Sequence, residues 1–474
     1  MHRMTGMDAS FLYMESPRLP MHTLKLVIVD VADVPGGYRF ERVAEVVAAH
    51  LHLLPALRRR ALAVPLGLHH PVWIDDPAFR IGDHIERVVL PEGAGDAELD
   101  AFTASVTEGP LDRRRPLWHM WAIEGMRGAE GRPLVAFLVK IHHAIADGVA
   151  AEEMLRLAMS ELDGSTPLGS GPTPLPDRVA LALGALRDHL RQRARLPRLL
   201  LGTLRGGLRA MWLTRRAEVK APRLFSAPRT VFNHKISSRR NFARVELPLP
   251  EFRRIKAVFA CTINDVVLAV VAGALRAYLL GRGEAAEFPL IASVPACTDH
   301  EIDNPTAGNH VSSLYTSLRV DLADPVERLE ATRQVTDAAK AKHAAMGSHM
   351  LTEWMEFSRL APHAWLWRRL LPRLARPPLH LVVSNVPGPR EPLAIDGARL
   401  VRLASVGPLL EGVGLNITVW SYIDTMSFAV LASPDGIPEL APLIELLRTS
   451  LAELGAAADR RVEAEAQVPV AEAG

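Results

Sequence analysis

The stretch KIHHAIADGVA, Lys140 to Ala150, sets two adjacent histidines ahead of an aspartate and a glycine, so that His142, His143, Asp147 and Gly148 read HHxxxDG. An imidazole with a pKa near 6.5 can take a proton from a hydroxyl at neutral pH, which makes either ring a candidate general base. Asp147 could fix the tautomer of that ring directly, or could brace the loop against a distant arginine and leave the tautomer to a backbone carbonyl. Gly148 permits close backbone approach or a positive φ where the chain turns into the next element. A catalytic base, a pair of satisfied structural histidines and a metal site are all open on these four residues alone. The metal reading has least support, because no third cysteine, histidine or glutamate stands at ligand spacing and HHxxxD is not the HExxH pattern.

The flanking residues indicate what must hold this motif. Leu134 to Ile141 is almost continuously apolar, and Val149 to Leu162 puts Ala150, Met154, Leu155 and Met159 on one helical face. The histidines therefore stand on a strand-to-helix turn, where a rigid scaffold can hold a base beside a cleft. Upstream, Leu24 to Asp30 reads as a buried strand, Val43 to Leu54 as a helix stopped by Pro55, and His70, Val72 and Trp73 as part of another strand. In LDRRRPLWHMWAIEG the spacing predicts that Leu111 to Arg115 ends a helix at Pro116 and that Trp118 to Ile123 begins a strand. Gly125 to Gly131 then forms a hairpin loop delivering the chain into the histidine motif.

Downstream, the proline- and glycine-rich Asp163 to Asp177 has no packing periodicity and separates a first domain, 1–162, from the rest. Arg187 to Arg223 follows, with arginines alternating with leucines, Met211 and Trp212 and with few acids. Such a segment reads as a membrane-surface helix, and Trp365 to Arg376 has a similar composition. These features make 163–230 a linker and basic segment and 231–455 a second domain. Within it, ARVELPL is strand-like and Glu251 to Val258 is a short helix. Thr262, Asn264 and Asp265 then cap a helix, up to Gly281, that is apolar on nearly all sides and must be buried. Pro289 to Cys297 is a core strand and Val320 to Gly347 a long polar helix. Leu379 to Val383 is a strand running into SNVPGP, Ser384 to Pro389, and Leu415 to Leu431 a strand pair turned at Tyr422 to Thr425. Ala456 to Gly474, mostly alanine and glutamate, is expected to be disordered.

Composition excludes several classes. With 474 residues, 49% hydrophobic and 23% charged, the chain is ordinary globular material, and its net charge of +2 does not argue for nucleic acid. It has neither GxGxxG nor GxxxxGK[ST], so ATP and NAD are unsupported. Cys261 and Cys297 lie in no CxxC or ligand spacing and read as small buried hydrophobes. Met1 to Ser16 lacks an apolar leader core, and Val266 to Leu280 is interrupted by Arg276 and shorter than the roughly 18 apolar residues of a membrane span. The expectation is a cytoplasmic protein that is not integral to a membrane.

HHAIADG, with LDRRRPLW before it and TIND, GNHVSSL, SNVPGP and GLNITVWSYIDTMSF after it in that order, resembles the bacterial wax ester synthase/acyl-CoA:diacylglycerol acyltransferase family from Met7 to about Leu454. That family is among the chloramphenicol acetyltransferase-like acyltransferases, which include condensation domains. The resemblance implies an α/β protein of two such domains, with the active site in a tunnel at their interface. It implies that His143 is the general base, with His142 its less reactive neighbour, Asp147 orienting the loop and Gly148 letting it pack. Asn264 matches the family's asparagine near the reacting centre, a candidate for holding the acyl carbonyl or the oxyanion, while Asp265 caps and positions its helix. Pro116, Leu117 and Trp118 match a motif that would shape the acyl channel, and His119 departs from the family, which often has an acid there. From the residues alone, TIND is also explained as a helix cap and SNVPGP as a turn. The implied activity is transfer of a long-chain acyl group from acyl-CoA to diacylglycerol or a long-chain alcohol, at a cytoplasmic membrane surface or lipid droplet. No metal or cofactor is implied, acyl-CoA being a substrate. The alternatives are a polyketide or glycolipid hydroxyl as acceptor and a non-catalytic lipid-binding role.

Overall fold

The computed structural model describes residues 2–91, 93–146, 148–160, 175–297, 309, 311–347, 350–357, 369–370 and 373–467. Asp147, most of the expected linker, Gly308 and His310 of GNHVSSL, half of Trp365 to Arg376 and the last residues of the tail lie outside them.

In chain order the first half runs β1 (His2–Arg3), α1 (Gly6–Met14), β2 (His22–Asp30), α2 (Phe40–His50), β3 (Arg59–Leu62), β4 (Val72–Asp75), β5 (Ile85–Val89), α3 (Asp96–Glu108), β6 (Trp118–Arg127), β7 (Pro133–His142) and α4 (Gly148–Ala158). The second half runs α5 (Arg178–Arg216), β8 (Asn241–Pro248), α6 (Leu249–Val258), α7 (Ile263–Gly281), β9 (Leu290–Cys297), β10 (Val311–Leu318), α8 (Pro325–Met346), α9 (Met350–Phe357), β11 (Leu381–Val386), β12 (Ala394–Ile395), β13 (Ala398–Val406), β14 (Leu415–Tyr422), β15 (Thr425–Ala432) and α10 (Ala441–Ala466). Two six-stranded mixed sheets result, ordered β12-β13-β2-β7-β6-β5 and β10-β9-β11-β14-β15-β8, and β1, β4 and β3 form a small third sheet.

The first sheet is covered on both faces, which is why β2 is buried at all nine positions, its four polar residues included. The alternating side chains Leu24, Leu26 and Ile28, with Leu138 and Ala136 across the ladder, pack with α3 and with Phe242, Ala429 and Leu431 of the second lobe. On the other face Trp118, Met120 and Ile141 join Leu12 of α1 and Met154 of α4. In the second lobe α7 is the core helix, buried from Asp265 through Leu275. It is long and apolar enough to cross a membrane, yet its surface is spent on the sheet and on α6, α8 and α10.

Four expectations are corrected. Residues 394–406 do not belong to the second lobe's sheet: β13 crosses back and pairs antiparallel with β2 from Arg399 opposite Asp30 to Val406 opposite Leu24. The helix before Pro116 ends instead at Glu108, followed by Gly109 and Pro110. Asp112 then accepts from the backbone N–H of Arg114 at 3.0 Å, a local bond that competes with helix. The region from 456 is helical to Ala466, because its alanines are small enough to pack closely: Ala458 is fully buried in the second-lobe core. The basic segment is one 39-residue helix that starts earlier, at Arg178, capped by Asp177.

Candidate active site

The histidine turn is bolted down by its backbone. His142 N–H donates to Leu117 O at 2.9 Å, His143 N–H to Met21 O at 2.8 Å, and Ile145 N–H to His142 O at 2.9 Å. Pro116, Leu117 and Trp118 are all buried. The Trp118 indole donates to Leu57 O at 2.7 Å, and its ring stacks on His84 at 4.6 Å. Leu117 and Trp118 share a core with Ala144, Ile145 and Ala146, so this motif stands as a strut beneath the turn. His119 faces Glu86 at 3.4 Å on the opposite side of β6.

His142 is wholly buried, and its Nδ1 accepts from Ala144 N–H at 3.0 Å, which leaves the ring proton on Nε2. That nitrogen lies 3.6 Å from Glu15 Oε1, and His22 Nε2 lies 3.3 Å from the same oxygen. Arg113, from the LDRRR run, donates through Nε to Glu15 Oε2 at 2.7 Å. Burial alone would raise the Glu15 carboxyl. The His142 and His22 rings beside it and the charge of Arg113 more than reverse that and hold it far below the usual range. Burial pushes His22 down to about 3 and lowers His142, so two neutral imidazoles flank an ionised carboxylate. Glu15, His22 and His142 place three ligand atoms within 4.8 Å of one another, a donor set that fits a divalent cation by type. Sequence spacing hides it, since the three come from separate segments. Arg113 already supplies the carboxylate's cationic partner.

Lys140, on the same sheet face, donates to Val106 O at 2.6 Å and to Gly109 O at the C-terminal end of α3. Burial lowers its pKa to about 8.

His143 is half-buried and stacks on Phe11, with ring centroids 4.2 Å apart and an interplanar angle of 20°. Its carbonyl accepts from Asn309 Nδ2 at 2.9 Å, and the same amide donates to Asp8 Oδ1 at 2.6 Å. Asn309 comes from the segment leading into β10, so the second lobe clamps the first at this turn. Glu15, Phe11, Asp8 and Asn309 were not singled out by sequence reasoning. The only signal available was their membership in MDASFLYMES and GNHVSSL.

Gly148 opens α4 as expected, and Asp147 lies outside the described residues. Asp265 is a reciprocal cap of α7: its N–H donates to Thr262 Oγ1 at 3.2 Å, and Thr262 N–H donates to Asp265 Oδ2 at 2.9 Å. Asn264 Oδ1 accepts from Asn385 Nδ2 at 3.4 Å, which brings TIND and SNVPGP together at a helix N-terminus. The positive end of the helix dipole there favours negative charge. Among the described residues Asn264 is thus bonded to Asn385 and not to the histidine turn.

The histidine turn on one mixed α/β lobe, clamped by the other lobe, stands on a fold shared with condensation domains. The first condensation domain of the CDA synthetase has this fold, with a TM-score of 0.58 at 15% identity over 96% of each chain. Residues 4–267 match the wax ester synthase/diacylglycerol acyltransferase catalytic domain and residues 307–455 match the C-terminal domain of that family. The chain belongs to the wax ester synthase/diacylglycerol acyltransferase family and is an O-acyltransferase. It is 34% identical, over 98% of its own length and 92% of the relative's, to Rv1760 of Mycobacterium tuberculosis, a protein provisionally assigned as a diacylglycerol O-acyltransferase. A second provisionally assigned relative from that organism, Rv3087, is 35% identical over 97% of this chain and 98% of its own. The wax ester synthase/diacylglycerol acyltransferase from Marinobacter aquaeolei VT8 superposes with a TM-score of 0.67 at 26% identity, covering 97% of this chain and all of that one.

Proposed function

We propose that the enzyme transfers a long-chain acyl group from acyl-CoA to the hydroxyl of diacylglycerol or a long-chain alcohol, with His143 as general base. The observation that carries this reading is the histidine turn itself: His143 is presented from a backbone fixed at Met21 and Leu117 and held across the lobe junction by Asn309. In the proposed reaction both substrates meet in an interlobe tunnel. His143 takes the acceptor's hydroxyl proton and the oxygen attacks the thioester carbon. Asn264 and the α7 N-terminus stabilise the oxyanion, the carbon–sulfur bond breaks, and the imidazolium returns its proton to the CoA thiolate. Ester and free CoA are the products. No cofactor or metal enters any step, so dialysis against a chelator is expected to leave turnover unchanged. Asp147 would orient the loop.

Thiol release from palmitoyl-CoA tests the reading, run with hexadecanol, with a diacylglycerol and without acceptor. Acceptor-dependent release that His143→Ala abolishes in a folded protein supports it. Lipid binding without release would favour a non-catalytic role instead.

The membrane part rests on α5. Leu183, Leu186, Leu190, Leu204 and Trp212 are each more than half exposed among arginines, whereas only Leu181, Ala185, Leu199 and Ala210 turn inward. We propose a peripheral, cytoplasmic attachment through this helix. Flotation with anionic and neutral vesicles checks it: no binding to either would retire the idea.

A further inference from the structure

The two faces of the second sheet differ in kind. Ala292, Val294, Leu314, Leu381 and Val383 are buried in the core that α7 fills. Strand alternation puts Ser293, Pro295, Ser313, Tyr315, Val382 and Ser384 on the other face, the side turned to the first lobe. Farther across that face the first lobe covers it: Trp420 packs with Val27 and Val29, and Ala429 and Leu431 pack with Leu24 and Leu26. On β10, β9 and β11 the cover is incomplete, and Ser313, Tyr315, Pro295, Val382 and Ser384 are only half-buried.

Tyr315, Ser293, Val382 and Asn416 stand abreast on four neighbouring strands, and one step along the same face Ser313 lies opposite Pro295 and Ser384 beside Thr418. That step leads toward the histidine turn. Asn309, which donates to His143 O at 2.9 Å, stands four residues before Ser313, about 13 Å along an extended chain. Asn385, next to Ser384, is the residue that meets Asn264.

The chemistry of this wall is uncharged and hydroxyl-rich. Thr418 is engaged within the fold, since its hydroxyl donates to Asn416 Oδ1 at 2.9 Å and accepts from Gly407 N–H at 3.3 Å. Burial raises the Tyr315 phenol, so it keeps its proton, and its partner is the Ser313 hydroxyl. Two paired hydroxyls use one O–H between them and leave one to donate outward. Such donors suit a neutral acceptor group, of which an ester carbonyl is the simplest. A plain alkyl chain laid against them would cover the hydroxyls and return no hydrogen bond.

We propose that Ser313, Tyr315 and Ser384 are specificity-determining residues that hold an ester carbonyl of the acceptor, so that the enzyme takes a glyceride in preference to a long-chain alcohol. The inference rests on the acyltransferase reading above.

With palmitoyl-CoA fixed, kcat/KM is measured for 1,2-dioctanoylglycerol and for hexadecanol in wild type, Ser313→Ala, Tyr315→Phe and Ser384→Ala. Each loss of a hydroxyl is expected to lower the glyceride-to-alcohol ratio by about fivefold to tenfold, and Ser313→Thr, which keeps the hydroxyl, to preserve it. Unchanged ratios in folded, active variants overturn the inference, as does an equal fall for both acceptors. A fall confined to palmitoyl-CoA, measured against the palmitoyl thioester of a short alkyl thiol, would put the amides of the CoA arm on this wall and overturn it as well. Calorimetric titration with dioctanoylglycerol reads the wall without turnover. Ser313→Ala is expected to weaken binding by a similar factor, and equal affinity for wild type and variant overturns the inference. Glyceride binding of the expected pattern by a wild type that releases no CoA would overturn the acyltransferase reading and leave the wall assignment standing.

Discussion

His142 Nε2 and Glu15 Oε1 face each other 3.6 Å apart in a buried site, while His143, the next residue, stacks on Phe11. The two histidines of the motif therefore divide the work. One is locked into a network with a carboxylate and Arg113, and its fixed ring holds the Ala144 N–H. The other stacks its ring on Phe11 and has its carbonyl held by Asn309.

Breaking that network should be costly. Glu15→Ala leaves Arg113 and two imidazoles without their carboxylate; the Arg113 guanidinium is half-exposed and can turn to water, so the expected cost is that of buried polar partners left unpaired, about 1–3 kcal/mol. Thermal unfolding monitored by circular dichroism should show the largest drop near neutral pH and a smaller one in acid. The sign follows from linkage. A carboxylate held below its unfolded pKa adds stability above that pKa and loses it as pH falls through the folded value.

His22 gives a second acid-sensitive element. Its pKa falls from 6.5 to about 3 in the folded protein, so stability is complete above about pH 6.5 and declines below it as the unfolded chain binds the proton first. The wild-type melting temperature should fall between about pH 7 and pH 5, and His22→Asn should flatten that slope.

Asn309 should matter to rate more than to folding. Asn309→Ala removes the amide that ties the His143 carbonyl to Asp8. A small shift of the turn is expected to lower kcat by about ten- to a hundredfold with a modest change in melting temperature. An unchanged kcat would show that the clamp is dispensable.

The TIND helix separates chemistry from capping. Asn264→Ala should reduce kcat by about 10²–10³, the usual effect of removing an oxyanion donor, and should be non-additive with Asn385→Ala because the two side chains are bonded. Thr262→Ala removes only a cap and should cost about 1 kcal/mol of stability. Steady-state kinetics beside thermal melts distinguish the two.

On α5, Arg205 and Arg209 are exposed between the leucines. Replacing both with glutamate should abolish flotation with anionic vesicles, and added salt should weaken wild-type binding in the same assay.

Much of this was legible in the chain. The histidine turn, the capped and fully apolar α7, the strand pair turned at Tyr422 to Thr425 and the order of the motifs are encoded in residues next to one another, where hydrophobic period and turn chemistry act locally. The end of α3 was misjudged because Asp112 makes a local bond that composition does not announce. The helix running to Ala466 was missed because alanine looks inert until a neighbour is close enough to bury it.

The histidine pair as the source of a candidate base, Gly148 at the start of its helix and Asp265 as a cap follow from the sequence by itself, since each depends on a handful of consecutive residues, whereas the choice of His143 within the pair is what the family resemblance implies. Only the tertiary structure decided that His142 is a buried anchor, because Glu15, His22 and Arg113 reach it from segments that no periodicity links. In the same way it alone brought Asn309 to the His143 carbonyl, Asn385 to Asn264, and β13 across to β2. Those contacts join residues more than a hundred positions apart, and burial and pairing, not spacing, select them.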